Sequence, residues 1–253
     1  MSRCKSSKAP ASYRQRRYRQ LVESAGLVCF EVKVRETDLQ ILAPEDRSRD
    51  ALHLVHQYRN QLESYIKNHP PFLTSFAPLA PDPLAPPLVK AMLKGAAAAG
   101  VGPMAAVAGT LAEFVGRDLL AAGLPEVVIE NGGDIFLRRN RECVVSIFAG
   151  RSPLSEKVGL QIASDRMPLG VCTSSGTVGH SVSFGAADSV TVLASSTSLA
   201  DAAATRLGNE VRKAADINQA LALAQIIPDL LGAVIIVNEQ LGAWGEINLV
   251  PMQ

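Results

Sequence analysis

Between Gly170 and Asn209 the chain gathers the side chains best suited to chemistry. Thr173, Ser174, Ser175 and Thr177 supply hydroxyls beside Gly176 and Gly179, whose missing side chains let backbone amides come close to a bound anion. Such a loop suits phosphate, and His180 adds a titratable group to it. Beyond the apolar run 190–193, Ser198 can cap a helix on which Asp201 and Thr205 stand four residues apart and project from one face. Two oxygens so placed suit a hard cation such as magnesium, which completes its shell with water or substrate phosphate. The same residues have a plainer reading. Ser198-Leu199-Ala200-Asp201 fits a capping box in which Asp201 satisfies the first-turn amides, and Thr205 then bonds a backbone carbonyl. The pattern alone leaves both open.

The second polar cluster is Asn131-Gly132-Gly133-Asp134, which interrupts a buried strand predicted over 126–130 before the apolar pattern resumes at 135–138. Paired glycines inside a strand pair mean a tight turn, a bulge or the close approach of a ligand. Glu130, Asn131 and Asp134 are the polar groups at that edge, and Glu130 with Asp134 could form a paired-carboxylate site. Upstream, two alanine-rich helices are predicted over 87–99 and 104–122, joined by Gly100-Val101-Gly102-Pro103, whose glycines suit a helix stop and whose proline suits a start. Small side chains at 94–100 and 105–109 permit either tight helix packing or a flat ligand lying against the helix. Seven prolines between His69 and Pro87, with Phe72, Phe76 and Leu79 among them, predict a stiff surface excursion able to cover a pocket.

The remaining elements read as a strand pair over 27–34 and 37–42, an amphipathic helix over 46–67, and short strands over 143–149, 158–163, 169–172 and 190–193. A helix over 216–227 and a terminal strand pair, 233–237 with 246–250, complete the chain. Strands come in runs between pairs of helices, without a helix-strand repeat of fixed period, so the fold class is α+β, a mainly antiparallel sheet covered by helices on one face. Residues 127–129, 145–148, 160–162 and 190–193 are expected to share that sheet.

The 253 residues are expected to form a basic arm over 1–19 and one domain over 20–253, with 47% hydrophobic residues for its core. The net charge of +1 conceals an asymmetry: seven basic residues between Arg3 and Arg19 have no acidic neighbour, which leaves 18 basic against 24 acidic residues in the rest. A body with that balance repels nucleic acid, whose binding needs cationic neutralisation of phosphate. No run of about 18 apolar residues indicates a membrane span, and the arm lacks the apolar core of a secretion signal, so a cytoplasmic protein is expected. Cys4, Cys29, Cys143 and Cys172 are scattered singly, and free thiols are expected. His53 and His56 share a helix without an evident metal partner, so they are expected at the surface.

Three segments in this order resemble the ApbE-type flavin transferases, which move FMN from FAD onto a threonine of a target protein. They are Ala105 to Glu113, Asn131-Gly132-Gly133-Asp134, and the Ala200-Asp201-Ala202-Ala203-Ala204-Thr205 helix after a Ser-Val-Thr-Val strand. The resemblance runs from about Val101 to the C-terminus. Over nearly the whole chain the sequence is similar to a group of ApbE-like proteins carrying the Val-Gly-Pro-Met-Ala-Ala-Val-Ala-Gly, Glu-Asn-Gly-Gly-Asp-Ile and Ser-Ser-Gly-Thr-Val-Gly-His-Ser segments. It implies an ApbE-like fold, similar to the tunnelling fold, and a magnesium ion held by Asp201, Thr205 and a backbone carbonyl near Val107 or Ala108. A flavin or nucleotide, FAD or FMN, would then lie against Asn131, Gly132, Gly133, Asp134, Ser175, Gly176, Thr177, Gly179 and His180, with an acceptor protein as partner. Transferases carry a lysine where this chain has Ala108, an aspartate where it has Glu113, and a His-x-x-Asp-Pro-x-Thr-Gly loop of which only His180 remains. Three readings therefore stand: a transferase, a flavin or nucleotide binder without transfer, and a structural homo-oligomer.

Overall fold

The computed structural model describes residues 26–176 and 185–252. Strands β1 (Val28–Val34) and β2 (Thr37–Ala43) form a hairpin, followed by helix α1 (Ser48–Asn68). A four-residue helix α2 (Pro71–Thr74) lies in the proline-rich excursion, ahead of α3 (Pro87–Ala99) and α4 (Val107–Ala121). Then come β3 (Val127–Asn131), β4 (Asp134–Arg138), β5 (Cys143–Ser146), β6 (Val158–Ile162), β7 (Leu169–Ser174) and β8 (Ser189–Ala194). The chain closes with α5 (Thr197–Glu210), α6 (Ile217–Ile226), β9 (Leu230–Val237), β10 (Gln240–Gly245) and β11 (Leu249–Pro251).

The architecture is α+β. Eight strands make one antiparallel sheet in the order β1-β2-β3-β4-β7-β8-β9-β10, and a three-stranded sheet runs β11-β6-β5. The expectation of one shared sheet is corrected here: 127–129 and 190–193 lie in the large sheet, whereas β5 and β6 pair with each other in the small one. Residue alternation marks a strand but not its partner, and both sheets offer the same apolar face. The terminal strand pair is corrected too. β9 turns at Asn238, where φ is 54°, and pairs with β10, while Leu249–Pro251 crosses to β6.

This second sheet explains why the central strands are apolar at successive positions. Ile129 faces a core shared with the helices, while Val128 faces one shared with Leu160 and Ile162 of the small sheet. Helices cover one face of the large sheet and the small sheet packs on the other, so alternate residues on each strand bury on opposite sides.

Helix α5 lies deep among the helices, with Ala200, Ala202, Ala203 and Ala204 buried. Its alanines serve close packing. A Cβ added at Gly95 of α3 would meet the Ser198 carbonyl oxygen at 2.8 Å, and one at Gly109 of α4 would meet that of Thr197 at 2.7 Å. The small-residue runs of α3 and α4 thus let two helix backbones touch α5. Farther out, the buried Tyr58 of α1 stands edge-on to Phe114 of α4, and its hydroxyl donates to the Asp118 carboxylate. Tyr58→Phe removes that bond but keeps the ring, and should lower unfolding free energy by about 1 kcal/mol in guanidinium titration. An unchanged midpoint would refute a stabilising role for the bond.

The proline-rich excursion does border a cavity, of about 440 Å³, lined by Tyr65, His69, Phe72, Leu79 and Leu93 among others. His53 and His56 are exposed, as expected. No single helix among the described residues is long and apolar enough to cross a membrane.

Candidate flavin and metal site

The second glycine pair begins the site. Gly132 and Gly133 take φ of 69° and 106°, so the Asn-Gly-Gly-Asp segment is a turn between β3 and β4 that residues with a Cβ adopt only with strain. The Gly133 amide donates to Glu130 Oε1 at 2.7 Å, which fixes the turn. Asn131 and Asp134, paired across it, are buried. Asn131 Nδ2 donates to the Ala108 carbonyl at 3.0 Å, so the turn reaches the first turn of α4.

Asp201 meets the same helix terminus. Its Oδ2 accepts from the Gly109 amide at 2.8 Å, and the Ala108 amide also bonds this carboxylate. The capping-box reading is therefore corrected. Ser196, not Ser198, is the N-cap of α5, its Oγ accepting from Leu199 N at 3.4 Å, while Ser198 Oγ accepts from Thr110 Oγ1 at 2.8 Å. Asp201 caps another helix across 92 residues of sequence. Thr205 follows one turn later and is half-buried.

Asp134 and Asp201 form the electrostatic centre. Burial, then the charge of Asp201, holds Asp134 well above the ordinary carboxylate range, against bonds from Cys172 and the Thr173 amide; Glu130 raises it further. Burial pushes Asp201 up to about 7, opposed by the amides of Gly109 and Ala108. The Asp201 charge is one cause of the Asp134 shift, so ionising both carboxyls together is disfavoured. Cys172, opposite Asp134 in the β4–β7 register, is fully buried, and its Sγ lies 3.5 Å from the Thr197 carbonyl oxygen. Burial and then the Asp134 charge raise its thiol well above the usual range, which makes it a packing residue rather than a nucleophile.

Proton release from this pair gives a pH dependence. Asp201 is raised from 3.8 to about 7 on folding, so its contribution to stability is fully present below 3.8 and is lost as pH rises through about 7. Asp201→Asn should therefore stabilise the metal-free protein at pH 8 by up to about 4 kcal/mol and leave it near wild type at about pH 3.5, below the unfolded value of 3.8. Thermal melts at the two pH values in a chelator check this, and a mutant that melts lower at pH 8 refutes it.

The other expected ligand residues are placed in part. Ser175 is half-buried and Gly176 exposed just after β7, and the Gly176 amide donates to Ala187 O at 2.9 Å. Thr177, Gly179 and His180 lie outside the described residues. Val107 and Ala108 open α4, whose Gly109 amide bonds Asp201. No group of three His, Cys, Asp or Glu side chains among the described residues forms a ready-made metal centre. The candidate donors are instead a carboxylate, a hydroxyl and a carbonyl.

One residue beside the site stood out in the sequence only as a departure from the transferases' aspartate. Glu113, only 4% exposed, caps α5: its Oε2 accepts from the amides of Thr197 at 2.8 Å and Ser198 at 3.2 Å, and Arg117 holds its Oε1 at 2.6 Å. A lone carboxylate between Ala112 and Phe114, on the face that also carries Gly109 and Gly116, was the available signal.

The family model described as "AbpE bacteria" matches residues 19–240. A UPF0280 protein of Methanococcus aeolicus is 41% identical over 222 residues, covering 86% of this chain and 90% of the relative. One from Methanococcus vannielii is 46% identical over 193 residues, covering 75% and 78%. Among solved structures, the apo flavinyl transferase ApbE of Pseudomonas stutzeri superposes with a TM-score of 0.53 at 14% identity, covering 86% of this chain and 93% of that one. The ApbE protein of Thermotoga maritima gives 0.55 at 12%, covering 87% and 97%. At these identities the structures establish the shared fold. The match of the family model over most of the chain, with relatives above 40% identity, establishes that the protein belongs to the ApbE-like family described as AbpE bacteria.

Proposed function

We propose that the protein binds a flavin nucleotide through a magnesium ion and transfers FMN from FAD to a threonine of an acceptor protein. The observation that carries this reading is the buried pair Asp134 and Asp201 at the N-terminus of α4. A helix N-terminus ordinarily attracts phosphate, but here a carboxylate already occupies its amides. An approaching pyrophosphate meets negative charge unless a cation lies between, and a cation also relieves the repulsion inside the pair.

The residues fit such an ion by donor type: Asp201, Thr205 and a carbonyl at Val107 or Ala108 are all oxygen donors, the class magnesium takes. When bound, it would neutralise charge on the phosphoanhydride as that bond breaks. The chain's own groups do the positioning. Asn131 holds the Ala108 carbonyl, and the Gly109 amide orients the Asp201 carboxylate. Ser175 and Gly176, with Thr177, Gly179 and His180, are proposed to contact the flavin nucleotide. In transfer, the threonine hydroxyl oxygen bonds to the FMN phosphorus, AMP leaves with the bridging oxygen, and the hydroxyl proton passes to a base.

A second reading, nucleotide binding without transfer, is favoured by Ala108, a methyl where the transferases carry a lysine. Incubation with FAD and magnesium, with and without a threonine-bearing acceptor peptide, separates the two. AMP release with a peptide mass increased by one FMN phosphoryl group supports transfer. Intact FAD retained on the protein supports binding alone, and absence of any flavin binding sinks both.

A further inference from the structure

Helices α4 and α5 cap each other. Thr197, Ser198 and Leu199 are the first three residues of α5, and their amides have no partner within the helix. Ser196 Oγ accepts from the Leu199 amide alone and itself donates to Glu113 Oε2 at 3.5 Å, while the other two amides donate to Glu113 of α4. In return, the amides of Ala108 and Gly109, in the first turn of α4, donate to Asp201 of α5. Each carboxylate stands a turn or so inside its own helix and reaches across to the start of the other. The helices can cross this closely because Gly109 has no Cβ: one added there would lie 2.8 Å from Asp201 Cβ.

Asp201 therefore does not set its own position. Its carboxylate is placed by the offset between two helix starts, and the second fastener of that offset is Glu113, held from the solvent side by Arg117, which is 57% exposed. We propose that Glu113 is a positioning residue for the cation site: it never touches the ion or the flavin, but it fixes α5 against α4 so that Asp201 and Thr205 present their oxygens together. The inference rests on the cation-dependent reading above and deepens it. It also gives a physical reason for a carboxylate in the apolar face of α4, where a charge without partners is costly.

The test measures magnesium-dependent FAD binding by calorimetry on the full chain, alongside unfolding. Glu113→Ala should weaken that binding by about 10-fold or more, the loss typical of groups that orient a metal ligand. Glu113→Gln, which keeps an acceptor oxygen for the two amides, should recover most of it. Ile162→Val, a destabilising change in the small sheet on the far face of the large one, should stay within about twofold of wild type, as independent sites do. Binding by Glu113→Ala within twofold of wild type overturns the proposal, as does an equal loss in Ile162→Val. If Glu113→Ala does not fold, Glu113→Asp takes its place, since a carboxylate shorter by one methylene cannot hold both amides from the same backbone position. If wild type binds no magnesium and FAD, the proposed function fails, and the interlock is decided by a double-mutant cycle of Glu113→Gln with Asp201→Asn. Folding constants that depart from independence by about threefold or more sustain it, and independent ones overturn it.

Discussion

Asp201→Asn is expected to weaken magnesium-dependent binding of FAD by about 100-fold or more, roughly 2.7 kcal/mol, while the metal-free fold is unharmed or gains stability. The asparagine keeps an oxygen that can accept from the Gly109 amide, so the contact between α5 and α4 survives. What disappears is the anionic ligand and with it the repulsion toward Asp134. Function and stability should thus move in opposite directions at one residue, which a cap alone does not produce. Thr205→Val is the companion, because it keeps the β-branched shape and deletes the oxygen. Calorimetry with FAD, FMN and ATP, with thermal melting as the folding control, reads both effects. Mutants that bind as tightly as wild type would remove the cation from this site and leave Asp201 as a helix cap in trans.

Gly109→Ala should damage the fold and the candidate site together. The new Cβ would stand 2.7 Å from the Thr197 carbonyl oxygen and 2.8 Å from Asp201 Cβ, distances that real contacts do not reach. Neither neighbour is a flexible chain end, so α5 itself must shift, and both the Asp201 and Glu113 bonds stretch. A cost of about 3 kcal/mol is expected from overpacking of this kind. Guanidinium unfolding measures it, and loss of magnesium-dependent binding should accompany it. An alanine variant with a wild-type midpoint would mean that α4 and α5 separate readily, contrary to the cross-capped arrangement.

Much of the fold was legible because both the strand and helix patterns are local. The apolar run Val127-Val128-Ile129 announced a strand buried on both faces, and Ala51, Val55, Tyr58 and Leu62 announced the inner stripe of α1. Partner choice was not legible. β5 and β6 read as short apolar strands just as β3 and β8 do, and only packing against Leu42, Val128 and Val234 on the far face of the large sheet assigns them to a second layer. The last strand shows the same limit: 246–250 reads as the partner of 233–237, but that position belongs to β10, and Leu249–Pro251 pairs with β6.

By itself the sequence named the candidate residues: Asp201 and Thr205 by their helical spacing, Asn131 and Asp134 by the glycines between them, and Val107 and Ala108 by family resemblance. Tertiary structure alone decided what those residues bond. Asp201 looked like the cap of its own helix because side-chain reach within one turn is all that spacing encodes, whereas its real partners, Gly109 and Ala108, come from a helix about ninety residues earlier. Ser196 is the cap of α5, Glu113 holds the other two amides, and the Asp134–Asp201 pair exists only because the β3–β4 turn and α5 meet over the start of α4. One carboxylate shifts another far along the chain when burial strips away the water that would screen them, and that proximity is a property of the packed molecule, not of any segment.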